Sequence, residues 1–201
     1  ATTCSNNTST LVTVNALPQA AFVHDPVACV GIPFAFVNNT SGAATYEWDF
    51  GDGAVSYTAA PQHIYGAPGP YAVRLIAITA EGCRDTAFSS LEVWEGPQAS
   101  FSLSTEVGCG PLEVGFTNTS VGEGLSFAWE FGGLGGSAEE SPGPMTFPAV
   151  VTDPIVYPIS LTVANTCGQV VANGAVTVMP MPTALFGPSL DQYCPSSPVP
   201  F

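Results

Sequence analysis

Apolar and polar residues alternate with a period of two along much of the chain, most clearly in Thr45-Tyr46-Glu47-Trp48-Asp49-Phe50. Tyr46, Trp48 and Phe50 fall on one side of such a segment and Glu47 and Asp49 on the other. This is the pattern of a half-buried β-strand with three rings on its inner face. Gly51-Asp52-Gly53 then ends the strand, because glycine reaches the positive φ that a tight reversal needs. The stretch recurs as Ser126-Phe127-Ala128-Trp129-Glu130-Phe131-Gly132-Gly133, with Trp129 lying 81 positions after Trp48. The same alternation runs through Phe34 and Phe36, through Tyr71, Val73, Leu75 and Ala77, and through Tyr157, Ile159, Leu161 and Val163. No stretch carries a helical period. Short strands separated by Gly, Pro and Asn turns make an all-β chain built of sandwiches.

A second marker sets the repeat. Pro-x-Ala-x-Phe occurs at Pro18, Pro97 and Pro182, spaced by 79 and 85 residues. The expected organisation is therefore repeat one over 18–96, repeat two over 97–181 and the start of a following repeat over 182–201. Residues 1–17 read as the C-terminal strand of a preceding repeat, because Thr3-Cys4 and Thr10-Leu11-Val12-Thr13-Val14 mirror Thr166-Cys167 and Ala175-Val176-Thr177-Val178. Seven short strands are expected in each repeat. In repeat one they lie near 20–24, 33–37, 45–50, 55–58, 63–65, 71–79 and 84–94. Trp48, Trp129, Tyr71 and Tyr157 are the expected core residues.

Charge narrows the partners. The chain has 16 acidic residues against two bases, Arg74 and Arg84, and a formal net charge of −14. Such a surface repels nucleic acid and anionic membranes, and no apolar run is long enough to insert in a membrane. The six cysteines, Cys4, Cys29, Cys83, Cys109, Cys167 and Cys194, show none of the close spacing of a zinc site. Cysteines spread this way in a lysine-free β chain point to disulfides and an oxidising, extracellular setting.

Three blocks standing in order carry a family resemblance: Trp48-Asp49-Phe50-Gly51-Asp52-Gly53, His63-Ile64-Tyr65 and Gly69-Pro70-Tyr71-Ala72-Val73-Arg74-Leu75. Together they resemble the signature of the polycystic kidney disease (PKD) domain. Repeat two is degenerate, with Glu130 and Gly133 at the two Asp positions and Met145-Thr146-Phe147 near the place of His-x-Tyr. A cysteine before the second strand and the turn Gly82-Cys83-Arg84-Asp85-Thr86 further resemble tandem repeats of very large Bacteroidetes surface proteins exported by type IX secretion. The resemblance implies tandem Ig-like sandwiches arranged end to end and a non-catalytic, cell-surface role in an adhesin, filament or appendage. The partners it implies are neighbouring repeats, a homo-oligomeric filament or bundle, and surface glycans, prey or substratum. Two other functions fit the same residues: an accessory module of a secreted glycan- or protein-degrading enzyme, and a carbohydrate-binding module.

Several side chains are candidates for chemistry. Asp49 and Asp52 read either as oxygen ligands of calcium, the one cofactor considered, or as a solvent-facing strand residue and a turn cap. His63 reads as a ring tucked against a strand and bonded to turn backbone, since no Ser or Cys nucleophile comes with a matching base and orienter. Trp94, whose counterpart is Met179, either packs at the repeat junction or is open for binding. Asn6, Asn7, Asn38, Asn39 and Asn118 stand in Asn-x-Ser/Thr sequences, which in a bacterial protein are turn chemistry. Asp85-Thr86-Ala87 resembles a Bacteroidetes O-glycan acceptor, which makes Thr86 a candidate modification site.

The cysteines have two pairings. Pairing within each repeat would give Cys29–Cys83 and Cys109–Cys167. In the Ig-like topology implied by the resemblance, the early and late cysteines of one repeat sit at opposite poles. The poles are about 17–20 Å apart, whereas a disulfide needs Cα atoms within about 7 Å. End-to-end stacking instead brings Cys29 towards Cys167 of the next repeat, a bond that would lock the junction.

Overall fold

Alternating aromatic and β-branched residues become strands throughout residues 13–181, the part that the computed structural model describes, and no helix occurs among them. The first nine strands are β1 (Phe22–Val23), β2 (Val27–Cys29), β3 (Phe34–Ala35), β4 (Val37–Asn38), β5 (Thr45–Asp49), β6 (Val55–Ser56), β7 (Gln62–His63), β8 (Gly69–Ile78) and β9 (Arg84–Trp94). The second nine are β10 (Phe101–Leu103), β11 (Val107–Cys109), β12 (Leu112–Val114), β13 (Phe116–Asn118), β14 (Ser126–Phe131), β15 (Gly136–Ser137), β16 (Met145–Phe147), β17 (Ile155–Asn165) and β18 (Gly168–Met179). Residues 13–17 form no strand, and Val14 and Leu17 are exposed. The rest of the expected preceding strand, with Cys4, Asn6 and Asn7, and the expected following repeat, with Cys194, lie outside the described residues.

Each set of nine builds one sandwich. In the first, a five-stranded sheet has the order β2-β9-β8-β5-β6, and the facing layer consists of the pairs β1-β4 and β3-β7. The second repeats this with β11-β18-β17-β14-β15 facing β10-β13 and β12-β16. All pairings are antiparallel except β2 with β9 and β11 with β18. Nine strands stand where seven were expected, for two local reasons. The expected first strand continues past Pro26 into β2, which has crossed to the other sheet, and the expected second strand divides at Phe36 into β3 and β4.

The cores follow the alternation. Trp48 and Trp129 are each 1% exposed, and they occupy matching places opposite Leu75 and Leu161. Phe22 and Phe36 pack on Trp48 at centroid distances of 5.1 and 5.7 Å, and Phe101 and Phe116 pack on Trp129 at 5.2 and 5.7 Å. A buried indole N–H needs an acceptor. Trp48 Nε1 donates to the Thr58 carbonyl and Trp129 Nε1 to the Glu139 carbonyl, both at 3.1 Å and both ten residues onward. Tyr157 is buried, whereas Tyr71 is only partly so, with its hydroxyl donating to the Ala67 carbonyl. Tyr46 is also only partly buried. Gly51 and Gly132 end the Trp strands at φ +84° and +63°, where a Cβ would come within 2.7 Å of Ala72 and Tyr157 respectively.

Trp48→Ala and Trp129→Ala should each destabilise their own sandwich by about 3–5 kcal/mol, the usual cost of truncating a large buried ring. Chemical denaturation followed by far-ultraviolet circular dichroism, which reports the strands of both sandwiches, reads this out. A loss below about 1 kcal/mol would show that the indole is not central to the core.

Candidate functional site

The turn after β5 gathers the first set of candidates. Asp49 Oδ1 accepts from Gly51 N at 3.0 Å, and Oδ2 accepts from Arg74 Nη2 at 3.0 Å. Asp52 Oδ1 accepts from Ala54 N at 3.0 Å, and Oδ2 lies 2.7 Å from His63 Nε2. All four carboxylate oxygens are thus engaged within the protein. Among the described residues no three acidic, His or Cys side chains are placed to share a metal ion. Held this way, the two carboxylates build and brace a turn. His63 is tucked against the strand, stacked on Phe50 at 4.2 Å, but its bond runs to the Asp52 side chain and not to turn backbone. Burial raises the Asp52 pKa, but the bond from His63, the Ala54 N–H and the His63 charge outweigh it and hold the carboxyl below its ordinary 3.8. Behind this pair Tyr65 is fully buried and donates to the Phe50 carbonyl, and burial pushes its phenol up.

Sandwich two lacks the pair as a unit. Gly133 stands at the Asp52 position, Met145 at that of His63 and Phe147 at that of Tyr65. A second histidine contact was not legible in the sequence: His24 Nε2 lies 2.8 Å from Ser89 Oγ, with its Nδ1 2.6 Å from the Asp25 carbonyl oxygen. Phe22, Phe34 and Phe36 surround the His24 ring, and Leu103 holds the equivalent place in sandwich two, so this ring fills core space. Asn38 and Asn118 accept the backbone N–H two residues on, from Thr40 and Ser120, as turn formers do. Thr86 is exposed on β9, and the neighbouring Asp85 carboxylate accepts from Ala20 N.

The junction between the sandwiches is the most elaborated feature. β2 runs parallel to the end of β9, with Cys29 in register with Trp94, so Cys29 stands where the chain leaves sandwich one. The β17–β18 hairpin of sandwich two reaches back to that pole. Cys29 and Cys167 are joined by a disulfide with Cα atoms 5.5 Å apart. The in-repeat pairs Cys29–Cys83 and Cys109–Cys167 are not formed, and Cys83 and Cys109 are free thiols. β8 and β9 show why: at about 3.3 Å per residue they put about 30 Å between the poles. Asn165 closes the joint. Its Nδ2 donates to the Glu95 and Glu123 carbonyls, both at 3.0 Å, and its Oδ1 accepts from Cys167 N at 2.8 Å. Trp94 is partly buried at this junction, and a Cβ on Gly124 would stand 2.5 Å from its ring. Sequence reasoning missed Asn165 and Gly124, because a lone Asn or Gly in a turn carries no periodic signal.

The family model described as PKD domain matches residues 15–93. Collagenase ColA of Bacillus cereus is 37% identical over 62 residues, which is 31% of this chain and 6% of that protein, so the chain spans a small fraction of this curated relative. The PKD1 domain of the Vibrio cholerae metalloprotease PrtV is 30% identical, over 39% of this chain and 98% of that one, with a TM-score of 0.35. The PKD1 domain of Vibrio anguillarum Epp is 28% identical over 40% and 96%, with a TM-score of 0.36. The titin I-band fragment I67–I69 is 14% identical over 82% and 66%, at a TM-score of 0.51, a likeness of fold.

The Asp52 carboxyl generates a pH prediction. Its folded pKa lies below the ordinary 3.8, so its stabilising effect is full above that value and fades as pH falls through the folded one. Asp52→Asn should cost sandwich one on the order of 1 kcal/mol at pH 7, and the gap from the unsubstituted protein should close towards pH 2. Urea titrations at the two pH values test this; a gap that persists undiminished at pH 2 would refute it.

Proposed function

The chain belongs to the PKD domain family through residues 15–93, and from that premise we propose that it is a structural repeat segment of a long extracellular surface protein. Its role is a stiff, force-bearing spacer in an adhesin, filament or appendage. The observation that carries this reading is the covalent joint: Cys29–Cys167 fixes one sandwich to the next, and Asn165 bonds the same joint on both sides. A free linker would let two small domains bend independently. A disulfide of this kind fits an oxidising compartment outside the cytoplasm. The net charge of −14 keeps neighbouring strings apart in solution. The exposed hydroxyl of Thr86 is open to an attached glycan in this setting. The intact mass of native material should exceed the sequence mass at the peptide containing Thr86, and an unmodified peptide would remove that part of the proposal.

A second reading, an accessory module of a secreted protein- or glycan-degrading enzyme, is favoured by the 37% identity to collagenase ColA. An accessory module needs no rigid alignment with its neighbour, so stiffness separates the two readings. Small-angle scattering of the oxidised protein should give one narrow distribution of dimensions. Reduction, or Cys167→Ser, should broaden it while Trp fluorescence shows both sandwiches still folded. An unchanged distribution would show that the bond does not stiffen the joint, and would favour the accessory-module reading.

A further inference from the structure

We propose that Cys109 and Cys83 are the two open halves of this same junction. The exit pole of sandwich two then accepts the hairpin pole of a further sandwich of this kind, supplied for the isolated protein by a second copy, through a Cys109–Cys83 disulfide. The proposal rests on the spacer reading and names the partner it requires.

Internal comparison carries the argument. Cys109 on β11 is in register with Met179 on β18, as Cys29 on β2 is with Trp94 on β9. The next backbone N–H folds back in both cases, from Gly110 to the Met179 carbonyl and from Val30 to the Trp94 carbonyl. Cys83 holds the corresponding place to Cys167. Each immediately precedes the second strand of the hairpin between the two longest strands of its sandwich, and each backbone N–H is held by a side chain from the first strand's end: Thr79 Oγ1, one residue past β8, at 3.2 Å for Cys83, and Asn165 Oδ1, the last residue of β17, at 2.8 Å for Cys167. The two thiols therefore lie at opposite outer ends of the pair of sandwiches, one bearing each half of the joint already seen between them.

The exit pole of sandwich two is also an apolar surface. Val107, Ile155, Val156 and Met179 gather at the same end of its five-stranded sheet as Cys109, and all are between 39% and 60% exposed. At the formed junction the Trp94 ring requires glycine at position 124. The hairpin pole of sandwich one has Ala43 at that place, two residues before β5 as Gly124 is two residues before β14. Opposite it would stand Met179, an unbranched side chain that moves aside for a Cβ as an indole cannot. The partner chemistry changes on both sides together, Trp with Gly in one joint and Met with Ala in the other.

Bond formation is an oxidation. The Cys109 and Cys83 thiols together lose two protons and two electrons, and an added low-molecular-weight disulfide such as oxidised glutathione takes them through a mixed disulfide and leaves as two thiols. The test uses the full chain carrying Cys4→Ser and Cys194→Ser, incubated with oxidised and reduced glutathione at about 0.15 M salt, which shortens electrostatic repulsion to about 8 Å. A ladder of multimers should form, with Cys83–Cys109 peptides and intact Cys29–Cys167 on non-reducing peptide mapping. Adding Cys83→Ser or Cys109→Ser should each leave monomers, and a one-to-one mixture of the two should stop at the dimer. Absence of multimers, or symmetric Cys83–Cys83 and Cys109–Cys109 peptides, would overturn the proposal. So would a Cys109–Cys194 bond in the unsubstituted chain, since residues 182–201 would then occupy the pole. None of these outcomes alters the scattering of the monomer, which tests the spacer reading separately.

Discussion

Between Val23 and Val27 the chain leaves the small layer of sandwich one and joins the five-stranded sheet, where β2 runs parallel to the last residues of β9. The joint depends on this crossing. A strand that stayed paired with β4 would leave Cys29 away from the exit pole. The parallel register with β9 brings Cys29 level with Trp94, the last residue before the linker. The hairpin cysteine is fixed at the other pole by the length of β8 and β9. The two kinds of cysteine can meet only where one sandwich ends and the next begins. In a single small domain a disulfide supplements a thin core; here it is spent on alignment instead, and the cores rely on their Trp clusters.

The comparison of the two sandwiches separates framework from decoration. What both keep is mechanical: a Trp with its N–H bonded ten residues onward, and glycine where the Trp strand ends. Both also keep the parallel edge strand with its cysteine. What sandwich two drops, it drops in matched sets. Asp52 and His63 give way together to Gly133 and Met145, and His24 gives way to Leu103. Without the imidazole the carboxylate would keep only its bond from Ala54 N, and without the carboxylate the imidazole would lose its acceptor. The paired loss is what a bracing contact undergoes, with an exposed glycine at the turn and a methionine on the strand in place of the two polar partners.

Period-two alternation made the fold legible in the sequence, because Trp48, Leu75 and Leu161 occupy positions that only a two-sided sheet explains. Alternation is blind to a strand that changes partner, so the crossing at Pro26 and the division at Phe36 were read as single strands. The site was less legible. Asn165 reaches backbone carbonyls 70 and 42 residues away, and nothing local distinguishes it from any other turn Asn. Gly124 reads as loop composition until the Trp94 ring is seen against it. The Asp52–His63 pair joins a turn residue to a strand residue eleven positions on, so each was legible as a turn or strand residue but not as the other's partner.

The covalent joint also determines where tension goes. Cys29 and Cys167 are 138 residues apart, and a pull on the two ends of the chain passes through the bond between them. Residues 30–166, which hold all three Trp residues and most of both cores, lie inside the closed loop and are not extended. The segments under load are those outside it: β1 and β2 before Cys29, and β18 after Cys167. β18 is zipped along its whole length to β17, so tension along it is shared across a ladder. The same closure removes loop entropy from the unfolded chain, worth about 5 kcal/mol in the chain-entropy model. That gain is shared by both sandwiches, because neither can be extended while the bond holds. Removing the bond would change a pair of domains protected in series into two separate weak links, each then limited by its own small core.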